Sequence, residues 1–402
     1  MINSHQHADI SDKLNTSIGQ ITIILTVDQT TKITAVKIKN SRPKNIGQIL
    51  VGKTPMQALL TLPNLFLLCA QAQQTAAIKA IANLNQHTIS QKQQQNLTRR
   101  GSLEWLKEHN WQLWQMEREL FGNNFAMQPS LSLAKLLLNL INNVAPIPTS
   151  NIVSDTSSND NTAKQNTGDD TLSGDNNNNA LNDEYYQLIN PHLSSLFGCE
   201  PSDFLEFTWS EFLLWTQGKA PYSQLLKTLQ QQQLTDLGTF EHWNISQENS
   251  SLSRQKNHPL VLSSLQRWGA NVATRTLARM IEMVVVNHDP NLSQTSLNNS
   301  ALTSRGILRH DLSIDNKGLI TRYSIDAPTD RLFASGGLME KALLGQKIPE
   351  MNLKWIRQLV WAIDPCVEFS LSISKNSEPK DSPSSNSTHD NRTNSERKTN
   401  HA

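Results

Sequence analysis

Alternating apolar and polar positions open the first ordered part of the chain. Ile21, Ile23, Leu25 and Val27 fall on one face of an extended segment. A polar stretch at 28–32 separates them from a second alternating run at 33–39. A period of two residues is typical of strands with one buried face, so this pattern predicts a β-hairpin.

Helical patterns follow the hairpin. Thr54 and Pro55 supply an N-cap and a proline at the first helical position, which predicts a helix from Met56 onward. A second helix, carrying Cys69, is predicted after Pro63. Apolar faces predict two more helices between 102 and 142. The first of these has an aromatic stripe, which we interpret as core packing: Trp105, Trp111, Trp114 and Leu120.

The second half of the chain is also mainly helical in pattern. Helices are predicted over 185–196 with a break at Pro191, and over 201–216, 221–234, 260–287, 338–344 and 353–363. Two strand-like runs lie between 305 and 325, on either side of the turn signal at 315–318. The last helix runs into Asp364-Pro365, and proline ends helices, so Cys366 is expected just beyond its end.

Two segments lack the apolar residues that a packed core needs. They are rich in Ser, Asn, Asp and Thr, and we expect both to be disordered. The fold class predicted is a helix-dominated α+β protein. The predicted divisions are a flexible N-terminus (1–17), an ordered block (18–148), a disordered insert (149–183), a second ordered block (184–373) and a disordered tail (374–402).

Charge and cysteine content narrow the functional classes. The chain has 36 basic and 35 acidic residues, so no overall field favours nucleic acid or an anionic membrane. Neither a signal peptide nor an apolar run long enough to cross a bilayer is recognised, which predicts a cytoplasmic protein. Three distant cysteines predict free thiols rather than disulfides. Cys199 is interpreted as a small buried hydrophobe. For His310, a functional role and a packed, hydrogen-bonded side chain both stay open.

Three separated segments resemble, in the same order, the large subunit of nickel-iron hydrogenases. They are the Q-I-L-V-G-K-T-P sequence at 48–55 upstream of Cys69, the R-G-I-L-R-H sequence at 305–310 with the residues that follow it, and the D-P-C sequence at 364–366. In that family, the motifs R-x-C-G-x-C-x-x-x-H and D-P-C-x-x-C-x-x-H supply four thiolates that hold nickel and iron. The resemblance therefore implies a large-subunit fold.

This chain departs from both motifs. Phe66 and Phe369 stand at two of the four cysteine positions, and Gln73 and Ser372 stand at the histidine positions. Four sulfurs are needed for the dinuclear centre, so we expect no nickel and no hydrogen cleavage. The family's proton-relaying glutamate falls at Gly47, which has no carboxylate. The resemblance thus implies a protein that is not an enzyme.

Cys69 and Cys366 remain as metal ligands, with Arg305 and Asp364 matching the arginine and carboxylate that lie beside the family's metals. This pattern resembles the hydrogenase expression and formation proteins of the HupK and HoxV type. That resemblance implies a maturation factor that holds an Fe(CN)2(CO) unit transiently. The implied partners are the hydrogenase large-subunit precursor and Hyp-type maturation chaperones.

Three other interpretations stay open from the sequence. The chain could be a metal-free chaperone that uses the large-subunit shape to bind or protect assembly intermediates. Cys69 and Cys366 could be inherited positions of the fold without chemistry. An active or sensory hydrogenase is the third, and it conflicts with the two missing thiolates.

Overall fold

The structure is a computed structural model. It describes residues 19–43, 45–66, 68–122, 128–144, 174–231, 238, 245, 248–348 and 353–375, with the backbone alone over 174–183 and at 375. The strands are β1 Ile21–Val27, β2 Ile33–Asn40, β3 Ser300–Thr303, β4 Gly306–Ile314, β5 Ile320–Asp326 and β6 Phe369–Lys375. Two 3-10 helices, Ile46–Leu50 and Pro290–Ser293, accompany them.

Helices make up most of the described chain. They are α1 Pro55–Leu65, α2 Ala70–Leu84, α3 Gln91–Phe121, α4 Gln128–Asn143, α5 Gly174–Phe197, α6 Pro201–Glu206, α7 Trp209–Trp215, α8 Pro221–Gln231, α9 Ser251–Gln255, α10 Pro259–Trp268, α11 Val272–His288, α12 Pro328–Leu332, α13 Leu338–Leu343 and α14 Leu353–Ile363. The predicted helix-dominated fold class is confirmed. No helix within the described ranges is long and apolar enough to cross a bilayer.

The first sheet joins the two ends of the chain. Its strand order is β2-β1-β6, with β1 antiparallel to β2 and parallel to β6. The predicted hairpin is confirmed, and Ile21, Ile23 and Leu25 are fully buried. Strand β6 was not predicted, and Phe369 within it lies opposite Ile21. A parallel pair needs a crossover between its strands, and here that crossover is nearly the whole described chain.

The second sheet, β3-β4-β5, is antiparallel. The two predicted strands around 315–318 are confirmed, and β3 is an addition. The Asp315 side chain accepts hydrogen bonds from the backbone of Lys317 and Leu319, and Gly318 has a φ of 74°. This local turn chemistry explains why the hairpin could be predicted from sequence.

Helices α1 and α2 are divided differently from the prediction. Thr54 and Gln57 form the capping box of α1, as the sequence suggested. Pro63, however, lies inside α1, which continues to Leu65, so the predicted second helix exists but starts later than expected. Helix α2 begins at Ala70, with Cys69 as its N-cap residue. The second helix therefore starts from Cys69 rather than carrying it in its interior.

Helix α3 starts earlier than predicted, at a capping box formed by Ser90 and Gln93. The aromatic stripe is core only in part. Trp105 is 2% exposed, whereas Trp111 is 39% exposed. The buried face of α3 also carries charged residues, among them Glu104 and Glu108. These buried carboxylates lie beside the candidate site described below.

The helix predicted over 260–287 is two helices in the structure. Gly269, with a φ of 75°, ends α10, and the Asn271 side chain caps α11 by accepting from Thr274. Local capping overrides the continuous apolar periodicity. The helix predicted over 201–216 divides for the same reason, because Thr208 caps α7.

Helix α11 is buried around almost its whole circumference, so it forms the centre of the helical body. The main hydrophobic core contains residues of both predicted blocks, such as Leu113 and Leu137 from the first and Leu277 and Leu359 from the second. The N-terminus, most of the predicted insert and nearly all of the predicted tail lie outside the described residues. Helix α5 begins within the last ten residues of the predicted insert and continues through Pro191, so the break predicted there is wrong.

Candidate functional site

Cys69 and Cys366 line one cavity of about 290 Å³. Cys69 precedes α2, and Cys366 lies between α14 and β6, so the parallel pairing of β6 with β1 carries the second cysteine back to the first. Both are free thiols and partly buried. The rest of the lining is largely apolar: Gly19, Arg42, Pro43, Ile46, Asn64, Leu65, Phe66, Leu68, Val367 and Glu368.

The turn that presents Cys366 has a distinctive backbone. Asp364 donates its N–H to the carbonyl of Val360, which closes α14, and its φ is 70°. A positive φ is uncommon for a residue other than glycine, and here it redirects the chain at the helix end. The N–H of Cys366 then donates to the hydroxyl of Thr329 at 3.2 Å.

Arg305 lies within electrostatic range of both thiols and is held by two buried carboxylates. Its Nε donates to Asp364 Oδ1 at 3.0 Å, and its Nη2 donates to Glu108 Oε2 at 2.7 Å. The Nη1 group has no hydrogen-bond partner among the described residues. Electrostatic interaction with the arginine opposes the rise in the pKa of Cys69. Of the four site residues predicted from sequence, Cys69 and Cys366 line the cavity, whereas Arg305 and Asp364, hydrogen-bonded to each other, are not part of its lining.

A buried network extends behind this arginine. Asp364 also accepts from Arg279 Nη1 at 3.0 Å, and that guanidinium contacts His109 Nδ1 at 3.2 Å. His109 Nε2 then lies 2.9 Å from Glu282. Because arginine can only donate, His109 accepts at Nδ1 and donates at Nε2, as a neutral ring. Burial also lowers the pKa of His109, which favours the same form.

Sequence reasoning missed Glu108 and Arg279. Arg279 lies in a mainly apolar helix, and this was an available signal, since a buried charge requires a partner. Glu108 gave no such signal, because Lys107, His109 and Asn110 next to it are polar. The partners of Glu108 and Arg279 come from distant segments, so the sequence alone could not have paired them.

A second set of hydrogen bonds ends at Cys69. Gln73 Nε2 donates to the cysteine sulfur at 3.6 Å, and its Oε1 lies 2.7 Å from His310 Nε2. His310 Nδ1 lies 2.7 Å from the Tyr323 hydroxyl. His310 is fully buried, and burial lowers its pKa to about 3, so the ring is neutral. The neutral ring donates to Gln73 and accepts from Tyr323. His310 is therefore a packed, hydrogen-bonded residue in this structure.

The thiol of Cys69 keeps its proton at neutral pH. Burial raises its pKa to about 12, and the nearby Cys366 and Glu104 add to that rise. Arg305 and Gln73 act in the opposite direction. A cation bound at the sulfur would displace the proton, because a coordinating thiol is deprotonated.

Glu104 lies beside the first turn of α2. Its oxygens accept from the N–H groups of Gln71 and Ala72 at 2.8 and 2.9 Å. Burial raises the pKa of Glu104 to about 7, and Lys107 opposes that rise. The carboxyl group therefore titrates near neutral pH, within electrostatic range of Cys69.

The positions without cysteine differ from each other. Phe66 lines the cavity, whereas Phe369 packs into the core. The ring centroids of Phe369 and Trp361 are 4.7 Å apart, and the Arg357 guanidinium lies 4.7 Å from the Phe369 centroid. Gly47 is buried, and a Cβ at this position would collide with the backbone carbonyl of Tyr323. A glutamate therefore could not replace Gly47 without moving the chain.

The remaining donor set is small. Within the described ranges, no group of three or more His, Cys, Asp or Glu side chains is arranged to hold a metal ion. Cys199 is partly buried, packs against the main core and has a pKa raised by burial to about 11. It lies outside the lining of the cysteine cavity.

The fold matches a solved structure along most of its length. It aligns with a chain of the NAD+-reducing [NiFe]-hydrogenase in the H2-reduced state with a TM-score of 0.53 and 14% sequence identity. The alignment covers 85% of this chain and 94% of that chain. The protein has the fold of a nickel-iron hydrogenase large subunit. The fold class expected from the sequence motifs is thereby confirmed.

Sequence similarity to curated proteins is confined to part of this large-subunit fold. Over 74 residues the chain is 35% identical to the hydrogenase expression/formation protein HupV of Azotobacter chroococcum mcd 1 and 34% identical to HupK of Azotobacter vinelandii. Each match covers 18% of this chain and 21% of the relative, so it spans about a fifth of either relative's length. No protein-family model matches the chain. The resemblance noted from the motifs is confirmed within these bounds.

Proposed function

We propose that this protein is a non-catalytic assembly factor for a nickel-iron hydrogenase. In this proposal it holds the Fe(CN)2(CO) precursor between Cys69 and Cys366 before delivery to the large subunit. The observation that carries the proposal is that these two thiols, from opposite ends of the described chain, line one cavity, with Arg305 within electrostatic range of both. Local similarity to two hydrogenase expression/formation proteins supports it.

Two thiolates suit a fragment that brings most of its own ligands. A bare ion such as zinc needs about four donors, and the described residues offer no such set. An iron unit that already carries cyanide and carbonyl needs fewer donors from the protein, and thiolates are soft ligands of the kind such iron accepts. The apolar lining, including Leu65, Phe66 and Val367, suits its small diatomic ligands.

Arg305 and Asp364 orient the cargo in this proposal. Cyanide nitrogen accepts hydrogen bonds, and Arg305 Nη1 is a buried donor with no partner among the described residues. Asp364 and Glu108 fix the other side of the guanidinium. The arginine thus keeps its orientation whether or not cargo is bound.

The positions that lack thiols explain why we propose that the protein holds a precursor rather than cleaves hydrogen. Phe66 and Phe369 provide no donors for nickel, and the backbone around Gly47 leaves no room for a carboxylate. With two protein ligands instead of four, the cargo can also be released more readily. We propose Hyp-type chaperones as donors, the large-subunit precursor as acceptor, and the cytoplasm, where thiols stay reduced, as the place of transfer.

Infrared spectroscopy tests this proposal directly. The protein is purified without oxygen from cells that express the hydrogenase maturation machinery. We expect cyanide and carbonyl stretching bands in the unaltered protein and in the Cys199→Ala control, and none in a Cys69→Ala, Cys366→Ala double variant. Absence of bands in the unaltered protein, or equal bands in the double variant, would overturn the proposal.

A metal-free chaperone is the second candidate. It is favoured by the absence of a three-donor metal group among the described residues and by the protonated state of Cys69. In this case the double cysteine variant would still support hydrogenase maturation in cells and would still bind the large-subunit precursor. The iron-carrier proposal predicts loss of maturation with that binding retained.

A further inference from the structure

A second cavity lies farther along α2, separate from the cysteine cavity. It is a polar cleft of about 340 Å³, and the two cavities share none of their lining residues. Lys79 contributes to it, ten residues after Cys69 and so about 15 Å away along the helix. Its other polar lining residues come from the end of α2, the segment before and into α3, and the loop before β3: Asn83, His87, Thr88, Gln94, Thr295, Ser296 and Asn298.

Lys79 is an unusual residue at this position because its charge is buried without compensation. It is 8% exposed, and its Nζ donates to the carbonyl of Thr295 at 3.0 Å. Burial lowers the pKa of Lys79, and no carboxylate among the described residues lies close enough to raise it. An ammonium group has three donors, and a carbonyl neutralises none of its charge. Buried charges are ordinarily paired.

The composition of the cleft indicates what would pair with this lysine. The lining contains no acidic side chain, so an anion entering it meets no like charge. Amide and hydroxyl groups from Asn83, Gln94 and Ser296 provide further hydrogen-bond donors. The volume is near the lower limit for small-molecule pockets, which favours a small ligand.

We propose that this cleft binds a small oxyanion, either phosphate or a carboxylate, through the ammonium group of Lys79 and the surrounding amide and hydroxyl donors. The site is independent of the iron cargo. The anion would neutralise the buried charge of Lys79, so the protein with bound anion is more stable than the free protein.

Thermal unfolding of the full chain at neutral pH provides the test, with inorganic phosphate or acetate compared against chloride at equal ionic strength. We expect at least one oxyanion to raise the melting temperature of the unaltered protein. Stabilisation by phosphate alone assigns a phosphoryl ligand, and stabilisation by acetate assigns a carboxylate. The absence of any effect beyond that of chloride would overturn the proposal.

Matched substitutions separate binding from general salt effects. Lys79→Met retains the length of the side chain and removes a buried charge, so it should fold and should bind the anion at least about tenfold more weakly by calorimetry. Lys79→Arg should retain binding. Asn83→Asp places a carboxylate four residues along the same helix and should weaken binding.

Lys37→Met, at an exposed position on β2, serves as the control and should respond as the unaltered protein does. Equal anion stabilisation of the Lys79→Met variant and the unaltered protein would also overturn the proposal.

Discussion

The side-chain amide of Gln73 donates to the sulfur of Cys69 over 3.6 Å. His310 fixes the direction of this hydrogen bond. It donates to the amide oxygen of Gln73, so only the amide N–H groups can face the thiol. Donation to sulfur favours its thiolate form over its thiol form. Gln73, at the position of a family histidine, thus favours deprotonation of Cys69.

Gln73→Met is expected to make Cys69 harder to deprotonate. The substitution removes the donor to sulfur while keeping an unbranched side chain of similar length. Alkylation proceeds through the thiolate, so the rate at Cys69 near pH 9 should fall by about threefold to tenfold. Mass spectrometry of partly alkylated protein measures this rate, and Cys199 in the same sample is the internal control. A change that affects both cysteines equally would indicate general loosening instead.

The ion pairs of Arg305 and Arg42 differ in burial and not in length. Arg305–Glu108 and Arg42–Asp330 are both 2.7 Å long, but the paired side chains are 2% and 3% exposed in the first and 12% and 47% in the second. Arg305→Met should lower the free energy of unfolding by about 3–5 kcal/mol, because the buried Glu108 loses its guanidinium partner and Asp364 keeps only that of Arg279. Arg42→Met should cost less than about 1 kcal/mol.

Urea unfolding of the two variants measures this difference. Arg305→Lys should also be destabilised, since a lysine cannot donate in two fixed directions as the guanidinium does to Asp364 and Glu108. Equal losses in the Arg305 and Arg42 variants would contradict the described network.

Local signals in the sequence predicted much of the fold. The β1–β2 hairpin, the capping box of Thr54 and the turn at Asp315 all depend on residues that are near one another in the chain. The break at Gly269 was missed because apolar periodicity continued through it. The parallel pairing of β6 with β1 was missed because it depends on tertiary contact, which no local pattern encodes.

The candidate site could likewise be predicted only in part from the sequence. Motif order proposed the two cysteines, Arg305 and Asp364, and the structure places Arg305 against Asp364 and within electrostatic range of both thiols. Glu108 holds Arg305 from the middle of α3, where the sequence shows only one polar residue among others, between Lys107 and His109. Which carboxylate meets which guanidinium is decided by helix packing, so this pairing needed the structure.

Phe66→Cys and Phe369→Cys should have different effects, although both restore a cysteine at a family position. Phe66 lines the cavity with both native thiols, so its replacement adds a third donor there. We expect tighter binding of zinc or cobalt(II), with thiolate-to-cobalt absorption as the readout. Phe369 is 8% exposed and packs on Trp361, so its replacement should not improve metal binding.

Loss of the Phe369 ring should also lower the free energy of unfolding. The loss should approach the value of about 3–5 kcal/mol that is typical of a buried phenylalanine replaced by alanine. Equal cobalt binding by the two variants would show that the cavity does not distinguish these positions. The Phe66→Cys variant combined with Cys199→Ala keeps the count of cysteines at three and excludes a contribution from the distant thiol.

Glu117 provides a pH-dependent test of the helical core. Neither of its carboxylate oxygens has a hydrogen-bond partner among the described residues, and burial raises the pKa of Glu117 to about 8. The folded protein therefore holds a proton that the unfolded chain loses near the ordinary value of 4.5. Stability then falls as pH rises from about 4.5 to about 8, by up to about 1.4 kcal/mol per unit, and levels off above that range.

Glu117→Gln removes this titration. Its free energy of unfolding should rise relative to the unaltered protein across the same range, by a few kcal/mol in total, as measured by urea unfolding from pH 5 to 9. Taking the difference between the two proteins removes the contribution of Glu104, which titrates in both. Glu211→Gln is the control, because hydrogen bonds from Thr208 lower the pKa of Glu211 and leave it ionised throughout. A constant difference between the Glu117 variant and the unaltered protein would show that Glu117 is ionised in the folded state.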